Sequence, residues 1–367
     1  MHRNALCWCR SGVRWKSCHR DREQADPVHP MKALAGRHKP ITTGACLHPS
    51  APEGCSGYAI RSHTLQRGSA LAAISEDGHV MSLGLPAAVR IMHNDGAILP
   101  QRTGVKLAST FPGFCSSHDT SLFLPIESGT VPISRESAFL LGYRTLAYEL
   151  HAKQEGLVEL AKIAGIADAG MPFDRQAEIQ TELDASAAGM RLGEADLRRW
   201  KSDMDRRYAR KDWARADMLA VEFDAILPFV AAFANQPEWD FAGKRLQHLF
   251  EKHPGQASLT VTVAGERTLA LFTWFDGVNG VGGQLARSFE AIDADQRATA
   301  LLRHCLAFCE NLHLKPSWWD GLSDAETEDA TALIKVGMPF NGGPPSRARL
   351  GRGPLGLATV GSTILPL

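Results

Sequence analysis

Cys7, Cys9, Cys18 and His19 fall within thirteen residues of the stretch "LCWCRSGVRWKSCH" near the start of the chain. Three thiols and an imidazole are donors that a tetrahedral zinc ion takes. The Cys-x-Cys step delivers two sulfurs from one tight bend. Ser11-Gly12 sits where the chain must reverse, and the eight residues between Cys9 and Cys18 suffice for a short hairpin that returns to the same ion. Arg10, Arg14 and Lys16 offset the negative charge of three thiolates. Four protein ligands fill the coordination shell, so this spacing points to a structural ion with no position open for a reaction.

A second constellation is spread more widely. It comprises Cys46 and Cys55 in "CLHPSAPEGC", His63 in "AIRSHTLQR", and Cys115, His118 and Asp119 in "GFCSSHDTSLFLPIE". Cys115-x-x-His118 has the spacing of a ligand pair, and Cys46 with Cys55 can close a loop on the same ion, giving a second Cys3His set. On spacing alone, the alternative stays open that Cys46 and Cys55 are small core residues and His63 and His118 satisfied polar ones. A third group, Cys305, Cys309 and His313 with His304 beside it, has the spacing of one helix face and is expected to be core.

The rest of the chain must position these residues. Its 367 residues have 44% hydrophobic and 22% charged content and zero formal net charge, an ordinary globular balance. The charge is uneven. Residues 1–70 hold eleven Lys/Arg against four Asp/Glu, an excess that could face nucleic acid or an acidic partner. The opening residues lack the apolar core of a signal peptide, and the longest apolar run, "ILPFVAAFA", is too short to span a bilayer. A reducing, cytoplasmic setting without membrane attachment is expected, where clustered cysteines are metal ligands more often than disulfides.

The organisation read from the sequence is α+β. A knuckle occupies 1–20, a polar linker 21–40, and a loop-rich zinc module 41–130. A helical region follows at 131–227, an α+β region at 228–340, and a flexible Gly/Pro-rich tail at 341–367. In the helical region Ser134 is placed to cap a helix whose apolar face is Phe139, Leu140, Tyr143, Leu146, Ala147 and Leu150. A second helical stretch, rich in both charge signs, is expected over about 174–222. "ASLTVTVAGERTLALFTWF" predicts a β-hairpin turning at 264–267. "DADQRATALLRHCLAFCENLHL" predicts a helix capped by Asp293 or Asp295.

The first cluster resembles the SEC-C motif, a short zinc knuckle found at the C-terminus of the SecA translocase and in many other bacterial proteins. Cys7, Cys9, Ser11, Gly12, Trp15, Lys16, Cys18 and His19 match its pattern, while Trp8 replaces a usual proline and Arg10 a usual glycine. The resemblance implies a zinc-binding docking element that contacts protein or ribosome surfaces. The second constellation is similar to a distant, treble-clef-like HNH endonuclease module. That likeness implies His63 as general base, Asp119 at a metal-binding position, and Mg2+ or Mn2+ as the catalytic ion. The stretches "SHTLQR", "EDGHV", "YRTLAYEL", "WDFAGKRLQHL" and "FCENLHLKPSWW" also resemble, in order, a family of bacterial proteins of no known activity.

The sequence therefore leads to a zinc protein with two ions. Two function classes stay open. One is a binding module that docks nucleic acid, a ribosome or a protein. The other is a metal-dependent endonuclease acting through His63 and Asp119.

Overall fold

The computed structural model describes residues 2–28, 44–83, 99–127, 131–336 and 355–366. The elements, in chain order, begin with a single 3-10 turn at Trp15–Ser17. Strand β1 (Ile60–His63) precedes a helical turn over 67–74, and β2 (His79–Ser82), β3 (Gln101–Gly104) and β4 (Thr110–Phe114) lead to helix α1 (Ser116–Glu127). Helices α2 (Arg135–Ala164) and α3 (Phe173–Arg210) follow. Then come β5 (Asp217–Phe223), β6 (Phe229–Asn235), β7 (Ala257–Ala264) and β8 (Arg267–Trp274). Helices α4 (Val281–Glu290) and α5 (Arg297–Phe308), strand β9 (Leu312–Leu314), a turn of helix at Pro316–Asp320, α6 (Asp324–Val336) and β10 (Ser362–Ile364) complete the chain. The fold is α+β. No helix among the described residues is long and apolar enough to cross a membrane.

The chain forms two compact units that interleave in sequence. Among the described residues, one comprises 2–28 and 150–198, and the other 44–83, 99–127, 131–149, 199–336 and 355–366. The larger unit is organised by an antiparallel sheet in the order β10-β5-β8-β7-β6-β9-β2-β3. The hairpin β7–β8 turns at Gly265, whose φ of +64° is the left-handed conformation that glycine adopts without penalty. Strand β6 is buried along almost its whole length and reads as a continuous apolar run, whereas the equally buried β7 alternates Ser258, Thr260 and Thr262 with Leu259, Val261 and Val263. Leu65, Leu71, Ile74 and Val80 from the early part of the chain pack with Val230, Ala232 and Val263 in one apolar cluster. The sheet is thus shared by residues of the cysteine-bearing module and of the C-terminal region.

The hydroxyl of Ser134 accepts the N–H of Ser137 at 3.1 Å, which caps α2 as its sequence requires. The predicted apolar face of that helix is buried throughout. Elsewhere the structure corrects the reading. The second helical stretch ends at Arg210, where Lys211 takes a φ of +53°, and residues 217–223 form β5 instead of continuing the helix. Met218, Ala220 and Phe223 are buried between β8 and β10, so sheet packing overrides helix propensity there. Helix α5 is preceded by Gln296 with no side-chain cap, so neither Asp293 nor Asp295 caps it. The expected tail without regular structure contains β10, which pairs with β5, and Leu355 is buried; residues 337–354 lie outside the described residues. The linker expected at 21–40 is described only to residue 28. Over that stretch it is held in place: Gly170 N–H donates to the Arg22 carbonyl at 2.9 Å, and a Cβ on Gly170 would come within 2.7 Å of Pro27.

Candidate metal centres

The first centre is built almost entirely by local chain. Cys7 and Cys9 flank a tight bend, and Gly12 (φ +75°) allows the reversal after Ser11. The backbone N–H of Cys7 donates to the Val13 carbonyl at 2.9 Å, closing the small hairpin. The 3-10 turn Trp15–Ser17 then presents Cys18 and His19. The four ligand atoms lie within 4.8 Å of one another. His19 Nδ1 is 3.3 Å from Cys7 Sγ and 3.1 Å from Cys18 Sγ, and Cys9 Sγ is 3.5 Å from Cys18 Sγ. A tetrahedral zinc ion needs S···N edges of about 3.5 Å and S···S edges of about 3.8 Å, and the cluster is close to that size. Cys7, Cys9 and His19 are buried.

The second centre is assembled from three places. Cys46 and Cys55 come from a loop, Cys115 follows the end of β4, and His118 lies in the first turn of α1. β1 and β4 pair antiparallel, with Ser62 opposite Phe111 and His63 opposite Thr110, which fixes where α1 begins. His118 Nδ1 is 3.4 Å from Cys46 Sγ, 3.5 Å from Cys55 Sγ and 3.4 Å from Cys115 Sγ. These edges match the zinc tetrahedron closely. The Cys115 N–H also donates to Cys46 Sγ at 3.3 Å, the hydrogen bond a metal thiolate accepts.

The electrostatics of both sets suit a cation. In the first, burial raises Cys9, but hydrogen bonds from the Ser11 hydroxyl and backbone outweigh it and lower the pKa. Burial and the neighbouring sulfurs then push Cys18 up to about 12 and raise Cys7. In the second, burial is again opposed, here by the backbone N–H groups of His118 and Ser56, and Cys115 falls to about 6. Cys55, crowded by burial and by Cys46 and Cys115, rises to about 11. One thiolate in each set is favoured and resists ionisation of its neighbours. A divalent ion removes that conflict by holding three thiolates together. The donor chemistry therefore fits zinc in both places.

The partners behind the two histidines differ. His19 Nε2 lies 2.7 Å from Asp168 Oδ2. Asp168 sits in the turn between α2 and α3 and also accepts Arg22 Nε at 2.7 Å and Gln180 Nε2 at 3.0 Å. Burial raises its pKa, and these three donors outweigh that and hold it low. His118 instead stacks on His48, with ring centroids 3.8 Å apart and planes 7° from parallel. Burial lowers His48 to about 4, so that ring is neutral. Neither Asp168 nor His48 is apparent from ligand spacing; Asp168 is 149 residues from His19.

His63 and Asp119 do not form a third ligand cluster. Among the described residues only the two Cys3His groups bring metal ligands together. His63 Nε2 is 3.1 Å from the Val105 carbonyl, which makes Nε2 the protonated nitrogen, and burial lowers the ring's pKa. Asp119 lies in the first turn of α1 with Oδ1 buried and unpartnered. Burial raises its pKa against the pull of Arg144, Ser62 and His63. Arg144 is committed elsewhere, donating to Glu127 at 2.5 Å with its guanidinium 3.9 Å over the Phe123 ring.

Cys305 and Cys309 are buried, as a core role requires. They do not share one helix face with His313, because α5 ends at Phe308 and His313 lies in β9. His313 is satisfied by the Ser82 hydroxyl at 2.8 Å and Asn311 Oδ1 at 2.9 Å.

Beside the first centre, Trp8, Trp15, His19, Arg20, Glu23, Phe173 and Gln176 line a groove of about 360 Å³. Trp8 packs its ring on His19 at 4.6 Å and edge-on against Phe173 at 5.3 Å. Phe173 is 57% exposed, and with Trp8 and Trp15 it gives the groove an aromatic lining.

Compared with known proteins, residues 3–21 match the SEC-C motif. No curated protein and no solved structure matches the chain.

Proposed function

We propose that this protein is a two-zinc docking protein, with the N-terminal knuckle and the aromatic groove beside it as the contact surface for a protein partner. The observation that carries the reading is the groove itself: Trp8, Trp15 and Phe173 stay partly open next to a metal centre whose four ligands are all protein. Closed centres hold shape and do no chemistry, and exposed aromatic side chains framed by charge are what interfaces use as anchors. Arg3, Arg10, Arg14, Lys16, Arg20 and Arg22 outnumber Asp21, Glu23 and Asp26 in residues 2–28, which favours a partner with acidic groups around an apolar contact. A ribosome or nucleic-acid surface offers the same charge. The test is cross-linked capture by the full chain and by Trp15→Ala and Phe173→Ala, with zinc content measured in each. Loss of a protein partner in both variants at unchanged zinc content supports the reading. Unaltered capture, or loss of the partner on nuclease digestion, overturns it.

A second reading has one observation in its favour. A ligand loop, a strand pair, Cys115 just after β4 and a helix bearing His118 follow the order of a treble clef, with His63 at the end of β1 and Asp119 near enough to feel its charge. In that reading His63 Nδ1 is the base for a water, and Asp119 helps hold Mg2+ or Mn2+ at a phosphodiester. Incubation with DNA or RNA and either ion, for the wild type and His63→Ala, decides it. Cutting lost in His63→Ala supports the nuclease; no cutting, or cutting that survives, rejects it.

A further inference from the structure

We infer that Asp168 is the outer carboxylate of the first metal centre, a positioning residue that acts through His19 and couples metal binding at the knuckle to its seat on the turn between α2 and α3. The inference rests on the reading that Cys7, Cys9, Cys18 and His19 hold zinc.

The two ring nitrogens of His19 face different partners. His19 Nδ1 faces Cys7 and Cys18 Sγ, so Nδ1 is the ligand atom and must be free of hydrogen. The proton of the neutral ring is then on Nε2, and Nε2 donates to Asp168 Oδ2 at 2.7 Å. That bond fixes the tautomer and the ring plane and makes Nδ1 a better donor to the metal. Asp168 is fully buried, and both of its oxygens are used: Oδ2 by His19 and Gln180, Oδ1 by Arg22. A buried carboxylate with donors on every side stays in one place. The aim of His19 is thereby set by a residue far away in sequence. The same carboxylate grips Arg22, whose carbonyl accepts the Gly170 N–H, so metal, knuckle and helix turn share one hydrogen-bonded network. Among the described residues the second centre shows no such carboxylate: His118 is braced by the flat stack on His48.

The experiment uses the full chain and a site-resolved readout. Zinc-bound thiolates resist alkylation, and mass spectrometry reports Cys7, Cys9 and Cys18 separately from Cys46, Cys55 and Cys115 as chelator is raised. In Asp168→Asn the first three become reactive at chelator activity about 10- to 100-fold lower than in the wild type, the usual cost of losing an outer-sphere partner. The other three keep their wild-type midpoint. A structural effect unrelated to the imidazole is separated by His19→Cys, which supplies a fourth thiolate with no second nitrogen to orient. In that background Asp168→Asn shifts the midpoint by less than about twofold if the inference holds. Zinc protection that Asp168→Asn leaves unchanged overturns the inference alone, as does an equal shift in the His19→Cys background. No protection of Cys7, Cys9 and Cys18 in the wild type overturns the metal reading as well.

Discussion

The two Cys3His groups have the same donors and nearly the same size, yet they are opposite in construction. In the first, 12 residues separate the outermost ligands, Cys7 and His19. In the second, 72 separate Cys46 from His118. A metal cross-link restricts the unfolded chain more the longer the loop it closes. The difference between these loops corresponds to about 1.6 kcal/mol from chain entropy alone. The first centre organises one hairpin; the second ties a loop, a strand pair and a helix together. The same ion, held at each centre, would therefore have local consequences in one place and global ones in the other.

The largest expected effect breaks this comparison directly. Cys115→Ser removes the second ion's binding and with it the tie among the Cys46–Cys55 loop, β4 and α1. Structural zinc is worth on the order of 10 kcal/mol in small metal modules, so the unfolding transition of the sheet-bearing unit should fall steeply. Cys9→Ser should free the knuckle and leave that transition in place. Thermal melting followed by hydrogen exchange on β1, β4 and α1 measures both. Equal shifts for the two variants would show that the centres do not differ in reach.

A smaller effect tests what surrounds the second centre. Tyr143 donates to Asp205 at 2.6 Å, and Lys201 reaches Asp205 at 2.9 Å and the Tyr143 hydroxyl at 3.1 Å. Lys201 and Tyr143 are buried, and burial together with Asp205 raises the Tyr143 pKa well above its ordinary value. Asp205→Ala leaves the Lys201 ammonium without its carboxylate, at a cost of about 3 kcal/mol. Asp205→Asn keeps a hydrogen-bond acceptor for Tyr143 and should cost less. Denaturant midpoints of the two variants decide whether charge pairing or the hydroxyl contact matters more.

The same contrast explains how much was legible in the sequence. The knuckle could be read because all of its ligands, the turn residues Ser11-Gly12 and the balancing arginines lie in one short stretch. The second ligand set was legible only as candidate spacings, since Cys46 and Cys115 meet only after β1 has paired with β4. Helix α2 and the β7–β8 hairpin follow from local periodicity and turn chemistry. Strand β5 was hidden, because "ADMLAVEF" follows a charged helix without a strong breaker and is claimed by sheet neighbours far along the chain. Strand β10 was hidden for the same reason, in a glycine- and proline-rich end with no period of its own. The roles of His63 and Asp119 come from the resemblance to an HNH-like module, not from their spacing. The fold brings them within electrostatic reach but gives them no third ligand among the described residues. Asp168 carried no local signal at all, since outer-sphere partners obey no spacing rule.

The smallest expected effect sharpens the comparison to one atom. Gly12 beside the first centre has φ +75°, and Gly54 beside the second has φ +70°. Alanine at either position meets the same backbone penalty, about 1 kcal/mol. Their surroundings differ. A Cβ at Gly12 has nothing within 4 Å, whereas a Cβ at Gly54 would lie 3.2 Å from His118 Nε2. Gly12→Ala should therefore cost stability locally and leave zinc affinity at Cys7, Cys9 and Cys18 unchanged. Gly54→Ala should carry the backbone penalty and also disturb the ring stacked on His48, lowering the chelator midpoint at Cys46, Cys55 and Cys115. Because the backbone terms match, the difference between the two variants isolates the contact with the imidazole. Equal chelator shifts at the two centres would mean that His118, stacked on His48, is no more sensitive to crowding than the carboxylate-braced His19.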